Sequence, residues 1–308
     1  MAKTYGSLAQ DLIWRLEAAG FDVLTVVLRA FPVDFVSNLG ATLFRRVGPL
    51  TSAHRVAERN LRLAFPEMED AERSRLLALQ WENVGRLIVE FPLTDRLTLA
   101  SGRVELVGAE HLQAISLSGR PAVYISGHFS NWEIGAQAPL STGAPCEITY
   151  RRANNPLIDA RIKRRRSRYG VRLFAPKGGD GARKLLEALQ SGVSVVLLND
   201  QKYDEGIDAP FFGRSVRTLP AAVRLALRFG AVLQPLTVER TKGARFRCVV
   251  HPPISLRQTG NRTNDVLAGV SAVNAFIERR VRERPHEWFW VHRRWPASAY
   301  AELGAKGY

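Results

Sequence analysis

The spacing of apolar positions divides the chain into two textures. Over about the first hundred residues they recur at the three- and four-residue intervals of helices. Residues 7–44 read as helical with a break at Pro32. A second helix starts at the caps Thr51 and Ser52, carries Val56, Leu61 and Leu63, and stops at Pro66. A third runs from Asp70 to just before Pro92, with Leu76, Leu77, Leu79, Trp81, Val84 and Leu87 as its buried set. After Gly102 short apolar runs alternate with amphipathic segments, the signature of an α/β sheet. The predicted organisation is a helical segment over residues 1–100 followed by an α/β core over 101–308.

Within that core, strands are expected at 104–107, in the run leading to His128, and at 147–150, 193–198, 232–238 and 246–250. The run into His128 carries the most chemistry. It reads PAVYISGHFSNWE from Pro121 to Glu133: the β-formers Val123, Tyr124 and Ile125 stop at Ser126-Gly127, and the histidine follows. Open α/β sheets bind ligands beyond the carboxyl ends of their strands, so His128 belongs at the mouth of a crevice. On one helix, the five-residue spacing to Glu133 would separate the two side chains by about 140°. They can meet only if His128 lies on the turn and Glu133 in the first turn of the next helix, a start that Ser130 and Asn131 would cap well. An imidazole whose second nitrogen is held by a carboxylate is a general base. The pattern G-x-S-x-G is absent, so Ser130 is a poor nucleophile and the proton would come from a substrate hydroxyl. A second reading of the same residues stays open, in which Ser130-x-x-Glu133 is a capping box and Glu133 only closes the helix start.

Other polar groups fall at comparable places. Arg151 and Arg152 sit at the end of the strand 147–150, and Asn199-Asp200-Gln201 form a second polar cluster at the end of 193–198. The helix that opens at Asn155-Pro156 and closes at Gly170 carries Lys163, Arg164, Arg165, Arg166 and Arg168. Arg165 and Arg166 fall on or beside the side marked by Ile158, Ile162 and Tyr169, so at least one basic group turns toward the core or a cleft. Residues 177–181 read as a flexible glycine-rich loop. Pro210-Phe211-Phe212-Gly213-Arg214 reads as an exposed apolar patch with basic neighbours, either loop packing or a grip for an acyl chain. The aromatics interleaved with basic residues from Arg284 to Trp295 suit a membrane interface or a stacking surface.

Composition narrows the classes. A chain of 308 residues, 46% hydrophobic, is globular, and its formal charge of +15 implies an anionic partner: nucleic acid, an anionic membrane face, a phosphorylated substrate or an acidic carrier protein. Cys146 and Cys248 lie far apart without zinc or redox spacing, which points to inert core thiols in a reducing compartment. Six scattered histidines make a metal site improbable, and no Walker loop or G-x-G-x-x-G supports nucleotide chemistry. No stretch has the roughly 18 uncharged apolar residues of a membrane-spanning helix. Residues 24–28 with Arg29, and Leu43-Phe44 with Arg45-Arg46, could instead lie in a membrane interface or pack as an ordinary helix pair.

Several of these residues together resemble the bacterial lipid A late acyltransferases, within the lysophospholipid acyltransferase superfamily. The likeness rests on Ala57-Glu58-Arg59-Asn60-Leu61, Ala64-Phe65-Pro66-Glu67 and the H-x4-E motif His128 to Glu133. It continues in Tyr150-Arg151 with Asn155-Pro156-Leu157-Ile158-Asp159, Arg166, Asp200-Gln201, and the ending Trp290-Val291-His292-Arg293-Arg294-Trp295, and runs roughly over residues 50–295. Glycerophospholipid acyltransferases of the same superfamily usually carry H-x4-D with a later F-P-E-G-type motif, where this chain has Glu133 and Pro210-Phe211-Phe212-Gly213. The resemblance implies a mixed sheet flanked by helices, glycerolipid acyltransferase-like, with a membrane-associating N-terminal segment. It implies acyl transfer from acyl-carrier protein to a hydroxyl of a phosphorylated glycolipid, a lipid A precursor, without cofactor or metal, at the cytoplasmic face of the inner membrane. Family members commonly have an N-terminal spanning helix that is interrupted here, so peripheral or monotopic attachment is expected. His128 would be the base, Glu133 its orienting partner, and Arg166, Asp200 and Arg151 substrate-binding positions. Two alternatives stand beside it: transfer to another hydroxylated lipid, and a non-catalytic basic protein binding membrane or RNA. The acyltransferase reading expects no nucleic acid.

Overall fold

The structure is a computed structural model that describes residues 8–176 and 179–305. Helices α1 (Leu8–Arg29) and α2 (Val33–Val47) are separated by a short break at Pro32, which has no N–H to continue the ladder. Helices α3 (Ser52–Ala64) and α4 (Asp70–Glu90) follow, and α2 and α4 cross closely because neither helix carries a side chain at the crossing. A Cβ on Gly40 would lie 2.6 Å from both the Gly85 carbonyl oxygen and the Val89 side chain. Ala57, Leu61 and Leu63 of α3 and Leu76 and Leu77 of α4 share one buried cluster with sheet residues, so the helical segment is packed into the α/β core.

The core then runs β1 (Val104–Val107), α5 (Ala109–Ser118), β2 (Ala122–Ser126), α6 (Gln137–Leu140), β3 (Cys146–Tyr150), α7 (Pro156–Ser167), β4 (Leu173–Pro176), α8 (Gly179–Gln190) and β5 (Ser194–Leu198). A hairpin of β6 (Ile207–Phe211) and β7 (Arg214–Thr218) follows. After it come α9 (Ala221–Phe229), β8 (Val232–Lys242), β9 (Arg245–Val250), α10 (Arg262–Glu283) and α11 (Ala297–Ala305). Seven strands form one mixed sheet in the order β1-β9-β8-β2-β5-β3-β4, in which only the β8–β9 pair is antiparallel. Every residue of β2 is buried, as a central strand with both faces covered requires.

Three expectations change. The Phe211-Phe212 patch is not exposed: both rings are buried, Phe212 meeting Phe65 edge to face and Phe211 lying against Trp288 and Trp295. Trp288, Trp290 and Trp295 are likewise core residues and form no interfacial belt, because the β6–β7 hairpin and α3 cover them. Residues 179–181 begin helix α8, while Lys177 and Gly178 lie outside the described residues. Cys146 and Cys248 are free and buried, and burial pushes the Cys248 thiol up to about 12.

Candidate active site

β2 and β5 are parallel neighbours, and their register pairs Ser126 with Leu198. Counting two residues past each strand end gives His128 on one side and Asp200 on the other. The ladder continues for one more bond, from Asn199 N–H to the Ser126 carbonyl at 2.9 Å. Asp200 Oδ1 then lies 2.7 Å from His128 Nδ1, while Oδ2 accepts the His128 backbone N–H at 2.7 Å and the Trp288 indole N–H at 2.7 Å. Gly127 makes room for this approach, since a Cβ there would lie 3.1 Å from Asp200 Oδ2 and closer still to the Phe129 ring. Burial alone would raise the Asp200 carboxyl. The His128 charge, the two His128 N–H groups and the Trp288 N–H outweigh it and hold the group at about 2. A carboxylate on Nδ1 fixes the tautomer with its proton there and leaves the Nε2 lone pair available. Nε2 lies 3.4 Å from the Gln201 side-chain amide.

Glu133 is not the group that holds His128. Its carboxylate is gripped by both forks of Arg166, with Nε at 2.9 Å from Oε2, and accepts the Tyr169 hydroxyl at 3.1 Å. Burial opposes the Arg166 charge, but Glu133 more than compensates and pushes the guanidinium above its ordinary value. Burial and the Glu133 charge together push the Tyr169 phenol up. The capping box fails as well. Ser130, in the left-handed region at φ 49°, has its hydroxyl buried with no partner among the described residues, and residues 132–136 form a short 3-10 turn preceded by Asn131, whose side chain turns to Glu90. Four residues separate His128 from Glu133, and the chain spends them turning Glu133 toward α7.

His128, Glu133, Arg166 and Arg151 all line one cavity of about 410 Å³ at the carboxyl ends of β2, β5 and β3, with Asp200 buried directly behind His128. Arg151 is exposed, whereas Arg165, next to Arg166 on α7, does not line the cavity and is buried against the Pro92 carbonyl and Thr25. The rest of the lining includes Ile148, Tyr150, Val171, Val196, Leu198 and Leu236, which is an apolar wall facing a polar one. Trp132 packs edge-on to the His128 ring at 4.8 Å, and Phe289 packs on Trp132 at 5.3 Å.

Sequence reading missed the C-terminal strap. Phe289 N–H donates to the His128 carbonyl at 3.1 Å, Ser130 N–H donates to the Glu287 carbonyl at 2.8 Å, and Phe129 bridges to Trp288. A strap 160 residues downstream therefore clamps the His128 turn and delivers the Trp288 N–H; no local signal announces it, although the aromatic run drew notice for another reason. Among the described residues no three His, Cys, Asp or Glu side chains converge to hold a metal, and no helix is long and apolar enough to cross a membrane.

Comparison with known proteins gives the family. The family model described as bacterial lipid A biosynthesis acyltransferase matches residues 14–297. The lipid A biosynthesis lauroyltransferase of Escherichia coli K12 is 26% identical over 284 residues, covering 89% of each chain. The palmitoleoyltransferase of the same organism is 26% identical over 278 residues, covering 88% of each. Among solved structures, the 1-acyl-sn-glycerophosphate acyltransferase PlsC of Thermotoga maritima matches 83% of this chain and 99% of its own, with TM-score 0.36 and 16% identity. The match reaches into α1, so the N-terminal helices are included in it, and the chain belongs to the bacterial lipid A biosynthesis acyltransferase family.

Proposed function

We propose that the protein transfers a fatty acyl chain from acyl-carrier protein to a hydroxyl of a phosphorylated lipid A precursor, with His128 as the general base and Asp200 as its orienting carboxylate. The observation that carries this reading is the His128–Asp200 pair at 2.7 Å, opening onto a cavity with one apolar wall, in a chain of this family. His128 Nε2 takes the proton of the acceptor hydroxyl as its oxygen attacks the thioester carbonyl. The carbon–sulfur bond then breaks, and the imidazolium returns its proton to the leaving thiolate, so atoms balance without a covalent acyl-enzyme, cofactor or metal. Asp200 stabilises the imidazolium that forms.

Arg166 is committed to Glu133, so its part is to hold the cavity wall together with Tyr169 and present its remaining N–H edge. Arg151, exposed at the mouth, is the better-placed cation for an acceptor or carrier phosphate. The basic surface attracts an acidic carrier and an anionic membrane alike. We place the enzyme at the cytoplasmic face of the inner membrane, attached peripherally or monotopically.

The test is transfer from labelled acyl-carrier protein to a hydroxylated lipid A precursor in detergent, followed by mass spectrometry of the product. His128→Ala is expected to lose at least a hundredfold in kcat, in line with the roughly 10²–10⁴ that a positioned base contributes. Parental rates in that variant would end the assignment.

A further inference from the structure

We propose that the groove between α2 and α4 binds the phosphate of an anionic phospholipid headgroup while the outer face of α2 lies among the acyl chains. The inference rests on the membrane placement given above and names the surface and the lipid class. Of the nineteen large apolar side chains that are exposed among the described residues, fourteen fall between residues 8 and 50. On α2 they form a regular row. Phe35, Leu39, Leu43 and Val47 recur every fourth residue and are each about half exposed, at 54, 53, 52 and 46%. The side of the helix next to that row, with Ser37, Gly40 and Ala41, is buried, and Gly40 sits against Gly85 and Val89 of α4. A row so regular on a helix whose neighbouring side is already packed has no partner among the described residues.

What flanks that row identifies the partner. Asn38, Thr42, Arg45 and Arg46 of α2 and Glu82 and Arg86 of α4 line a groove of about 490 Å³. Three guanidinium groups face one carboxylate there. Glu82 is taken by Arg45 at 2.7 Å. Among the described residues Arg86 donates to the neutral Ser37 Oγ and Asn38 Oδ1, both at 2.8 Å, and Arg46 makes no ion pair. Burial and Arg240 lower the Arg86 guanidinium against the support of Glu90, Glu82 and Asp34, so an anion arriving in the groove would add to that support. Arg46 also lies on the apolar row's side of the helix, between Leu39 and Val47 along the chain and one turn past Leu43, where a helix resting in the interface meets the phosphate level. Arginine forks match phosphate oxygens bidentately. Nucleic acid would have to leave the adjoining apolar row in water, whereas a bilayer covers row and groove together.

Sedimentation with phosphatidylcholine vesicles, with and without phosphatidylglycerol, tests this on the full chain. The parent should prefer the anionic vesicles. Arg46→Gln, an exposed site where folding is not at risk, should weaken anionic-vesicle binding roughly fivefold, and Arg46→Gln/Arg86→Gln roughly 25-fold, from the ~1 kcal/mol that each basic side chain contributes near an anionic surface. Leu39→Ser/Leu43→Ser should lower binding to both vesicle types. Arg224→Gln/Arg257→Gln removes the same charge from exposed arginines elsewhere and should leave most of the preference intact. An equal loss in that control would reduce the effect to general electrostatics and overturn the site. Unchanged binding in the double arginine variant, or inorganic phosphate binding in the groove without any vesicle preference, would overturn it too. Transfer to detergent-dispersed acceptor should be unaffected in Arg46→Gln, so failure here is separable from failure of the acyltransferase reading.

Discussion

Asp200 collects three N–H groups within 2.7 Å, two from His128 and one from Trp288, and each has a distinct task. The backbone N–H fixes where the carboxylate sits, the ring N–H fixes the tautomer, and the indole N–H occupies the second oxygen so that the first stays aimed at Nδ1. Hydrogen bonds to charged groups contribute about 1.5–3 kcal/mol. Trp288→Phe keeps most of the ring and removes only that donor, so kcat should fall roughly ten- to a hundredfold with KM little changed. Asp200→Asn should fall further, because the wrong tautomer then becomes available to His128. Steady-state rates on variants whose melting is cooperative decide this, and an unchanged kcat in Trp288→Phe would show that the indole only fills space. Glu133→Gln tests a different link: loosening Arg166 and Tyr169 should alter the cavity wall, seen mainly in KM.

At the scale of elements, the His128 turn is anchored from behind by a buried ion pair. Glu90 at the end of α4 is fully buried and takes Arg240 of β8 through both oxygens, at 2.7 and 3.0 Å, together with Ser37 of α2 and the Asn131 amide next to the turn. Four segments thus meet on one carboxylate. Removing one partner of such a pair strands a buried charge and costs about 3–5 kcal/mol. Arg240→Met should lower unfolding free energy by that amount in urea titration, and Glu90→Leu/Arg240→Met should recover a substantial part of it. A single variant as stable as the parent would show that Ser37 and Asn131 suffice to hold Glu90.

For the whole molecule, acid is the informative stress. His251 is pressed down to about 4 by burial and by Arg280 and Arg279, so the folded state prefers its neutral form. Its contribution is complete above the ordinary value of 6.5 and is lost as pH falls toward about 4. Asp200, held at about 2, contributes above the ordinary carboxylate value of 3.8 and loses that contribution as pH falls through about 2, a span worth about 2 kcal/mol. Melting temperature should therefore decline in two stages on acidification. His251→Gln should flatten the upper stage and Asp200→Asn the lower one. A parental slope between pH 6.5 and 4 in His251→Gln would place the acid sensitivity elsewhere.

The hydrophobic pattern by itself determined the helical first hundred residues and the α/β remainder, because burial on one helix face or one strand face writes a local period into the chain. α4 over Asp70–Glu90 and α7 capped by Asn155 fall where that period and the turn chemistry put them. Local patterning also singled out His128, since a histidine directly after a buried strand is a statement about one segment. What lay beyond it was which carboxylate the imidazole meets. Glu133 is five residues away along the chain and Asp200 is 72, yet the parallel register of β2 and β5 brings the distant one within 2.7 Å and the 3-10 turn carries the near one to Arg166. Sheet order and the strap at Trp288 are properties of strand pairing between remote segments, and those pairings, unlike the periods, exist only once the chain has folded.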